Sequence, residues 1–306
     1  MKAVAFSRFG GPEVLEVVEL EKPEPGPGQV RMVVKAAGLN PVDYKVRKGE
    51  LGWYEPEFPL IPGLDVAGVV EAVGSGVTDV KVGDEVFGQS DGGPYTANAA
   101  AEFVLSHIYH PKPANVSWEV AGSLWTVGET AVRAMRLADL KADETMVVVG
   151  GGGSVGTVLV QLALAKGVRV IATANAADLE RLRSYGATAV EYGDGWVGRV
   201  RDSAPDGVDV AVDAAGAAVL PGCIELTGGT ERVVNLADLE GEKYGVPFAM
   251  GTPEVRALDA LPQLAELTAA GKLDLPIWKT YPLEEGAQAH ADLEAHRNRG
   301  KIVLMP

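Results

Sequence analysis

The chain has 306 residues and a formal net charge of −15, from 27 Lys and Arg against 42 Asp and Glu. Hydrophobic residues make up 47% and charged residues 23%, a globular composition that excludes a disordered protein, and the length suits two domains. The acidity argues against nucleic acid as a partner, and the one cysteine, Cys223, excludes an internal disulfide, a multi-cysteine zinc site and an iron–sulfur cluster.

Residues 1 to about 110 carry short apolar runs cut by Gly, Pro and Asp, the texture of a β-rich domain. Met1 to Gly10 reads as a first strand, with no long apolar region ahead of a small-residue cleavage site. Together with the lack of any stretch near the roughly 20 apolar residues that cross a bilayer, this places the protein in the cytoplasm with no membrane partner. Strands are expected at 30–37, at 66–73 and after the Gly83 turn. Phe103 to His110 reads as one strand, on which His107 and His110 point to opposite faces and so make no metal pair. From about Ser117 short Val-rich runs alternate with helical spacing. Strands are expected at 146–149, 168–173, 208–213 and 231–236, with helices at 155–166 and 177–185. Alternation of this kind implies a parallel sheet covered on both faces. Pro253 to Ala270 reads as a helix on the spacing of Leu258, Leu261, Leu264 and Leu267. Tyr281 opens another helix with an acidic first turn, and Lys301 begins a terminal strand that folds back onto the β-rich part.

The strongest motif is Gly151-x-Gly153-x-x-Gly156, following one predicted strand and opening a helix. Glycines there allow a tight turn and close approach of a pyrophosphate, which the helix N-terminus then favours. Gly151, Gly153, Ser154, Val155 and Gly156 are therefore the expected cofactor contacts. An acid at the end of the second strand would hold the ribose hydroxyls of NAD. Asn175 stands near that place, the first acid is Asp178 in the next helix, and Arg181 and Arg183 follow. This pattern favours NADPH over NADH.

The whole chain resembles the zinc-free quinone oxidoreductases of the medium-chain dehydrogenase/reductase superfamily. The matching segments are 38–43, 47–49, Pro59 to Gly74, 82–88, the glycine loop and 300–304, all in the family's order. The resemblance implies an α/β fold, with a GroES-like β-rich catalytic domain (1–115 and 272–306) and a Rossmann doubly wound parallel sheet (116–271) between its two parts. It also implies a cleft for nicotinamide and substrate, and a homodimer joined through edge strands, with 244–250 as the candidate edge. Zinc members of the superfamily carry Cys where this chain has Asn40, and Gly-His-Glu where it has Gly63-Leu64-Asp65; Leu64 cannot ligate, so no zinc is expected.

The activity implied is zinc-independent hydride transfer from NADPH to a quinone or an α,β-unsaturated carbonyl. Asn40 matches the family position beside nicotinamide and substrate, and its amide suits an oxygen that gains charge. Tyr44 and Lys45 are candidate proton donors, and Asp43 is expected to pair with Arg47. Thr130 is a candidate carboxamide contact, Ala215 lies where the backbone should line the crevice, and Asn235 and Tyr192 match positions near the nicotinamide and the adenosine phosphate. Lys301 belongs to the family's closing motif. Trp53, Tyr54 and Trp125 could form an aromatic wall. The alternatives are an enoyl-thioester reductase and a non-catalytic NADPH-binding sensor or structural protein.

Overall fold

The computed structural model describes residues 1–52, 57–92 and 98–306; Trp53 and Tyr54 lie outside them. The chain divides into two compact units. One comprises Met1–Thr126, Leu261–Ala270 and Leu275–Pro306; the other comprises Val127–Ala260 and Gly271–Asp274.

In chain order, β1 (Lys2–Ala5) pairs antiparallel with β2 (Glu16–Glu19). Next come β3 (Val30–Gly38), α1 (Pro41–Lys48), β4 (Asp65–Val73) and β5 (Glu85–Gln89). They are followed by β6 (Phe103–Ser106), β7 (Ile108–Pro111) and α2 (Trp118–Leu137). The boundary between the units falls within α2. The second unit then alternates strictly: β8 (Thr145–Val149), α3 (Ser154–Ala165), β9 (Arg169–Ala174), α4 (Leu179–Ser184), β10 (Thr188–Glu191) and α5 (Trp196–Ser203). It continues with β11 (Val210–Asp213), α6 (Leu220–Thr227) and β12 (Val233–Asn235). The chain closes with α7 (Ala260–Ala269), β13 (Ile277–Pro282), α8 (Gly286–Glu294) and β14 (Lys301–Met305).

The first unit is built on a sheet of order β13-β14-β3-β4-β5-β7, with β6 also on β3. The terminal strand does fold back. Leu304 of β14 lies opposite Ala37 of β3, which brings Lys301 to the sheet that carries the start of α1. Gly38 ends β3 against the first half of α2, where a Cβ would sit 2.6 Å from the Gly122 carbonyl oxygen. A side chain there would push the helix off the strand.

The second unit holds a wholly parallel sheet of order β10-β9-β8-β11-β12. The order reverses at β8, the first strand of the unit, and in such sheets ligands bind beyond the strand C-termini at that reversal. Val147, Ile171, Ala211, Leu220 and Cys223 belong to its core. Among the described residues no helix is long and apolar enough to cross a membrane.

Three expected elements differ. The helix predicted from Pro253 begins only at Ala260, and Leu258 is exposed. The amide of Ala257 donates to Glu129 Oε1 (3.1 Å), and those of Val255 and Arg256 to the Thr252 carbonyl, so tight turns replace the first helical turns. Tyr281 belongs to β13, opposite Leu304; its helix starts at Gly286, after a short 3-10 turn over Leu283–Glu285. The strand expected through His110 breaks at His107, because Asp91 takes both its backbone N–H (3.2 Å) and its Nδ1 (2.7 Å).

Candidate active site

The glycine loop leaves β8 through Gly150, at φ 87°, a backbone region that favours glycine. Gly151 donates its N–H to the Thr173 carbonyl at 2.8 Å, and a Cβ on it would lie 2.8 Å from that of Ala172. At Gly156 a Cβ would fall 2.2 Å from the Gly150 oxygen, so α3 can pack this closely only with glycine. Gly153 differs: it is exposed, has ordinary φ (−73°), and a Cβ there would meet only the Gly150 oxygen at 3.4 Å. Nothing in the protein's own packing demands glycine at 153, whereas a diphosphate lying against the backbone would. The half-buried Ser154 and Val155 begin α3, and the first N–H groups of a helix have no intrahelical acceptor. Three closely packed or turned glycines, one open glycine and a helix start together fit a dinucleotide.

Beside the loop, Asn175 accepts the N–H groups of Ala177 and Asp178 and donates to Asp178 Oδ2 (2.7 Å). Arg181 reaches back to the loop, donating to the Gly152 carbonyl (3.0 Å), Thr157 Oγ1 (2.8 Å) and Asp178 Oδ1 (2.9 Å). Arg183 donates to the Ala189 carbonyl instead. Tyr192 is exposed after β10, its N–H on the Ala174 carbonyl. At the end of β11, Asp213 Oδ1 accepts the N–H groups of Ala215 and Gly216, while its buried Oδ2 has no partner. Burial holds that carboxyl above the usual carboxylate range. Asn235 is buried at the end of β12, its amide closing the turn to Asp238 and donating to the Val246 carbonyl. Thr130 Oγ1 accepts from Arg133 at 3.3 Å.

In the first unit a buried polar network forms where β3, α1, β4 and β14 meet. Lys301 (2% exposed) donates to Asn40 Oδ1 at 2.8 Å and to Asp65 Oδ2 at 3.1 Å. Asn40 Nδ2 donates to Asp65 Oδ2 at 3.0 Å and, more loosely, to the Gly38 carbonyl at 3.3 Å. The other oxygen of Asp65 accepts the Thr126 N–H (2.7 Å) and hydroxyl (2.5 Å). Asn40 also caps α1: Pro41 stands at the first helical position, and the Asn40 N–H donates to Asp43 Oδ2 at 2.7 Å. Burial raises the Asp43 carboxyl to about 7, against the opposing pull of the Asn40 N–H and the Lys301 ammonium.

Asp43 does not pair with Arg47, as the sequence led us to expect. Arg47, although one turn along on the same face, donates instead to the Gly10 carbonyl and pairs with Glu294 of α8, while Asp43 Oδ2 is taken by the Asn40 N–H. Tyr44 is buried, which raises its hydroxyl above the usual phenol range, and Lys45 is half-buried. Trp125 is a core residue, 2% exposed with its Nε1 donating to Gln89 Oε1 (3.0 Å), rather than a wall open to substrate.

The site does not suit zinc. Leu64 offers no donor, and the Lys301 ammonium already lies against the oxygens of Asn40 and Asp65, so a second cation would be repelled. Among the described residues no three His, Cys, Asp or Glu gather as metal ligands. The sequence reading missed Asp65 as the partner of Asn40 and Lys301, and Thr126 as the partner of Asp65. An acid opening the apolar run of β4 was the available signal for Asp65; nothing local marked Thr126.

Residues 26–104 match the alcohol dehydrogenase GroES-like domain, and 184–304 match a zinc-binding dehydrogenase domain. The chain is 32% identical over its full length to the NADPH-dependent alkenal/one oxidoreductase, chloroplastic, of Arabidopsis thaliana, covering 80% of that protein. It is 31% identical to the quinone oxidoreductase of Rattus norvegicus, covering 100% of this chain and 98% of that one. The Escherichia coli quinone oxidoreductase complexed with NADPH superposes with a TM-score of 0.86 at 25% identity, over the full length of both chains. With the β-rich sheet, the parallel nucleotide-type sheet and the lysine-bridged Asn40 established, the chain belongs to the zinc-free quinone oxidoreductase family of the medium-chain dehydrogenase/reductase superfamily, a family of NAD(P)H-dependent oxidoreductases.

Proposed function

We propose that this protein is an NADPH-dependent, zinc-independent reductase of quinones or α,β-unsaturated carbonyls. The observation that carries the reading is the β8–α3 turn, whose Gly153 is open on the side where a diphosphate would lie. The cofactor supplies hydride from the nicotinamide C4. Gly151, Gly153 and Gly156 shape the loop, and the Ser154 and Val155 N–H groups at the start of α3 bind the diphosphate. Asn175 and Tyr192 serve the adenosine end, with Arg183 on the helix between them. Ala215 lines the backbone beyond β11, and Thr130 and Asn235 support the nicotinamide end.

Asn40 binds the substrate oxygen. Its 3.3 Å contact to the Gly38 carbonyl is the weakest it makes, and a substrate oxygen that gains charge would replace it. Lys301 and Asp65 hold the amide in one orientation, since the ammonium accepts no hydrogen bond and so fixes the Oδ1 end. Tyr44 and Lys45 of α1 are the proton donors proposed for an enolate product; the hydroquinone anion left by hydride addition to a quinone takes its one proton from water. The similarity to an NADPH-dependent alkenal/one oxidoreductase and to quinone oxidoreductases, one of them complexed with NADPH, supports this cofactor and these acceptors.

We further propose a cytoplasmic homodimer. Phe248 bridges to Asn235 on the open side of β12, which extends that edge of the sheet by one residue pair for a partner to continue.

The test is oxidation of NADPH or NADH in the presence of ortho- and para-quinones, 2-alkenals and crotonyl thioester. Turnover with quinones or alkenals is expected. Tight NADPH binding without turnover of any acceptor would replace the enzyme reading with a sensor. Asn40→Ala should lower kcat at least tenfold while leaving the Kd for NADPH within about twofold.

A further inference from the structure

Nucleotide-binding parallel sheets read the adenosine ribose at the C-terminal end of their second strand. Here that strand is β9, and three polar side chains follow its end: Asn175, Asp178 and Arg181. Both ends of the Asn175 amide are held, the oxygen by two backbone N–H groups and the nitrogen by Asp178. Arg181 is committed to three acceptors, two of which belong to the glycine loop and α3. The Asp178 side chain is 7% exposed and that of Arg181 22%. The carboxylate is pressed on the loop itself, since a Cβ on Gly152 would lie 3.0 Å from Asp178 Oδ2. The neighbouring arginines are also engaged: Arg183 with the Ala189 carbonyl, and Arg199 with the carbonyls of Glu191, Tyr192, Gly193 and Asp194.

We propose that Asp178 sets the preference between a 2′-phosphate and a bare 2′-hydroxyl on the bound nucleotide, by holding Arg181 on the glycine loop. The inference rests on the nucleotide reading above. A carboxylate and a guanidinium 2.9 Å apart present nearly no net charge to an incoming dianion. The phosphate therefore gains little from Arg181, whereas a bare hydroxyl loses nothing by that pairing. The protein accordingly tolerates NADH, with NADPH favoured by less than about tenfold. Removing the carboxylate's charge frees the guanidinium for the phosphate; removing the guanidinium leaves the carboxylate to repel it.

Two fragments separate this from catalysis: 2′,5′-ADP carries the phosphate and 5′-AMP does not. Calorimetric Kd values for both are measured on the wild-type chain, Asp178→Asn and Arg181→Gln. In Asp178→Asn the preference for 2′,5′-ADP should rise about tenfold or more, the scale of one charge-assisted hydrogen bond. In Arg181→Gln it should fall by about tenfold, with the difference shrinking as salt is raised. A general disturbance of the loop would weaken both fragments alike and leave their ratio unmoved, which overturns the proposal. If Asp178→Asn does not fold, the wild-type ratio decides: a preference for 2′,5′-ADP well above about tenfold means that Arg181 is not neutralised and overturns the proposal. Wild-type protein that binds neither fragment, NADPH nor NADH overturns the nucleotide reading itself; binding with a ratio within twofold across the variants overturns only the role of Asp178.

Discussion

Replacing Lys301 with Met tests the network around Asn40. The Lys301 side chain is 2% exposed and that of Asp65 fully buried, so their contact at 3.1 Å is a true interior ion pair. Removing one member of such a pair costs about 3–5 kcal/mol, because the remaining charge stays buried without its counterion. Asp65 keeps the Thr126 N–H and hydroxyl and the Asn40 amide, which places the expected loss near the lower end, about 3 kcal/mol. Urea unfolding followed by tryptophan fluorescence is the assay. Trp118, Trp125 and Trp278 belong to the same unit as the network and Trp196 to the other, so a Trp196→Phe background confines the signal of these residues to the right part of the chain. Lys301→Met with Asp65→Asn should recover most of the loss, since the second change removes the stranded charge. Asn40 would also lose the donor that orients its Oδ1, so kcat should fall further than the Kd for NADPH rises. A loss below about 1 kcal/mol in the single variant, or no recovery in the double, would show that the pair is not a closed buried one.

The open glycine of the loop makes a second test. Gly153→Ala should fold with stability within about 1 kcal/mol of wild type, yet weaken NADPH by about tenfold or more. Gly156→Ala, with its Cβ 2.2 Å from a carbonyl oxygen, should instead lose about 1–3 kcal/mol; equal stability in the two variants would refute the distinction. The pH dependence has two opposed parts. Burial lowers His290 to about 3, with the Arg47 charge adding to the effect, so its contribution is complete above its unfolded value of about 6.5 and is lost as pH falls below it. Asp43, raised to about 7, contributes stability below its unfolded value of about 3.9 and loses it as pH rises through 7. Relative to wild type, His290→Leu should therefore become progressively more stable as pH falls from 6.5 to 4, and Asp43→Asn as pH rises from 4 to 7, in paired denaturant titrations. Parallel curves would refute both assignments. Finally, Cys223 is fully buried and its thiol is pushed up to about 12, so the native protein should resist alkylation that goes to completion in denaturant; rapid labelling of the native protein would contradict the core placement.

What was legible in the sequence was what short-range pattern encodes. The Val-rich runs at 145–149, 169–174 and 210–213 read as buried strands because they are short, rich in β-branched residues and bounded by turn residues. The glycine spacing after the first of them announced the turn into α3 without any tertiary information. Helix starts were less legible where a distant side chain intervened. Ala257 looks helical by its neighbours, but an acceptor on Glu129, over a hundred residues away in sequence, takes its N–H and delays α7 to Ala260. The break of β6 from β7 at His107 has the same origin in Asp91.

The chemistry of the candidate site shows the same division more sharply. Composition and the residue types at Asn40 and Leu64 were enough to raise the expectation of no zinc, since ligation depends on which donor atoms exist. Partnership depends instead on which donors meet. Lys301 reaches Asn40 only because β14 pairs with β3, a contact between residues 261 positions apart. Asp178 and Arg181 could be read locally as helix residues, yet their turn back onto Gly152 exists only in the folded sheet, where β8 and β9 run side by side. Local sequence dictates backbone preference and burial through propensity and periodicity; charge pairing, and with it the state and orientation of every polar group at the site, is decided by tertiary proximity.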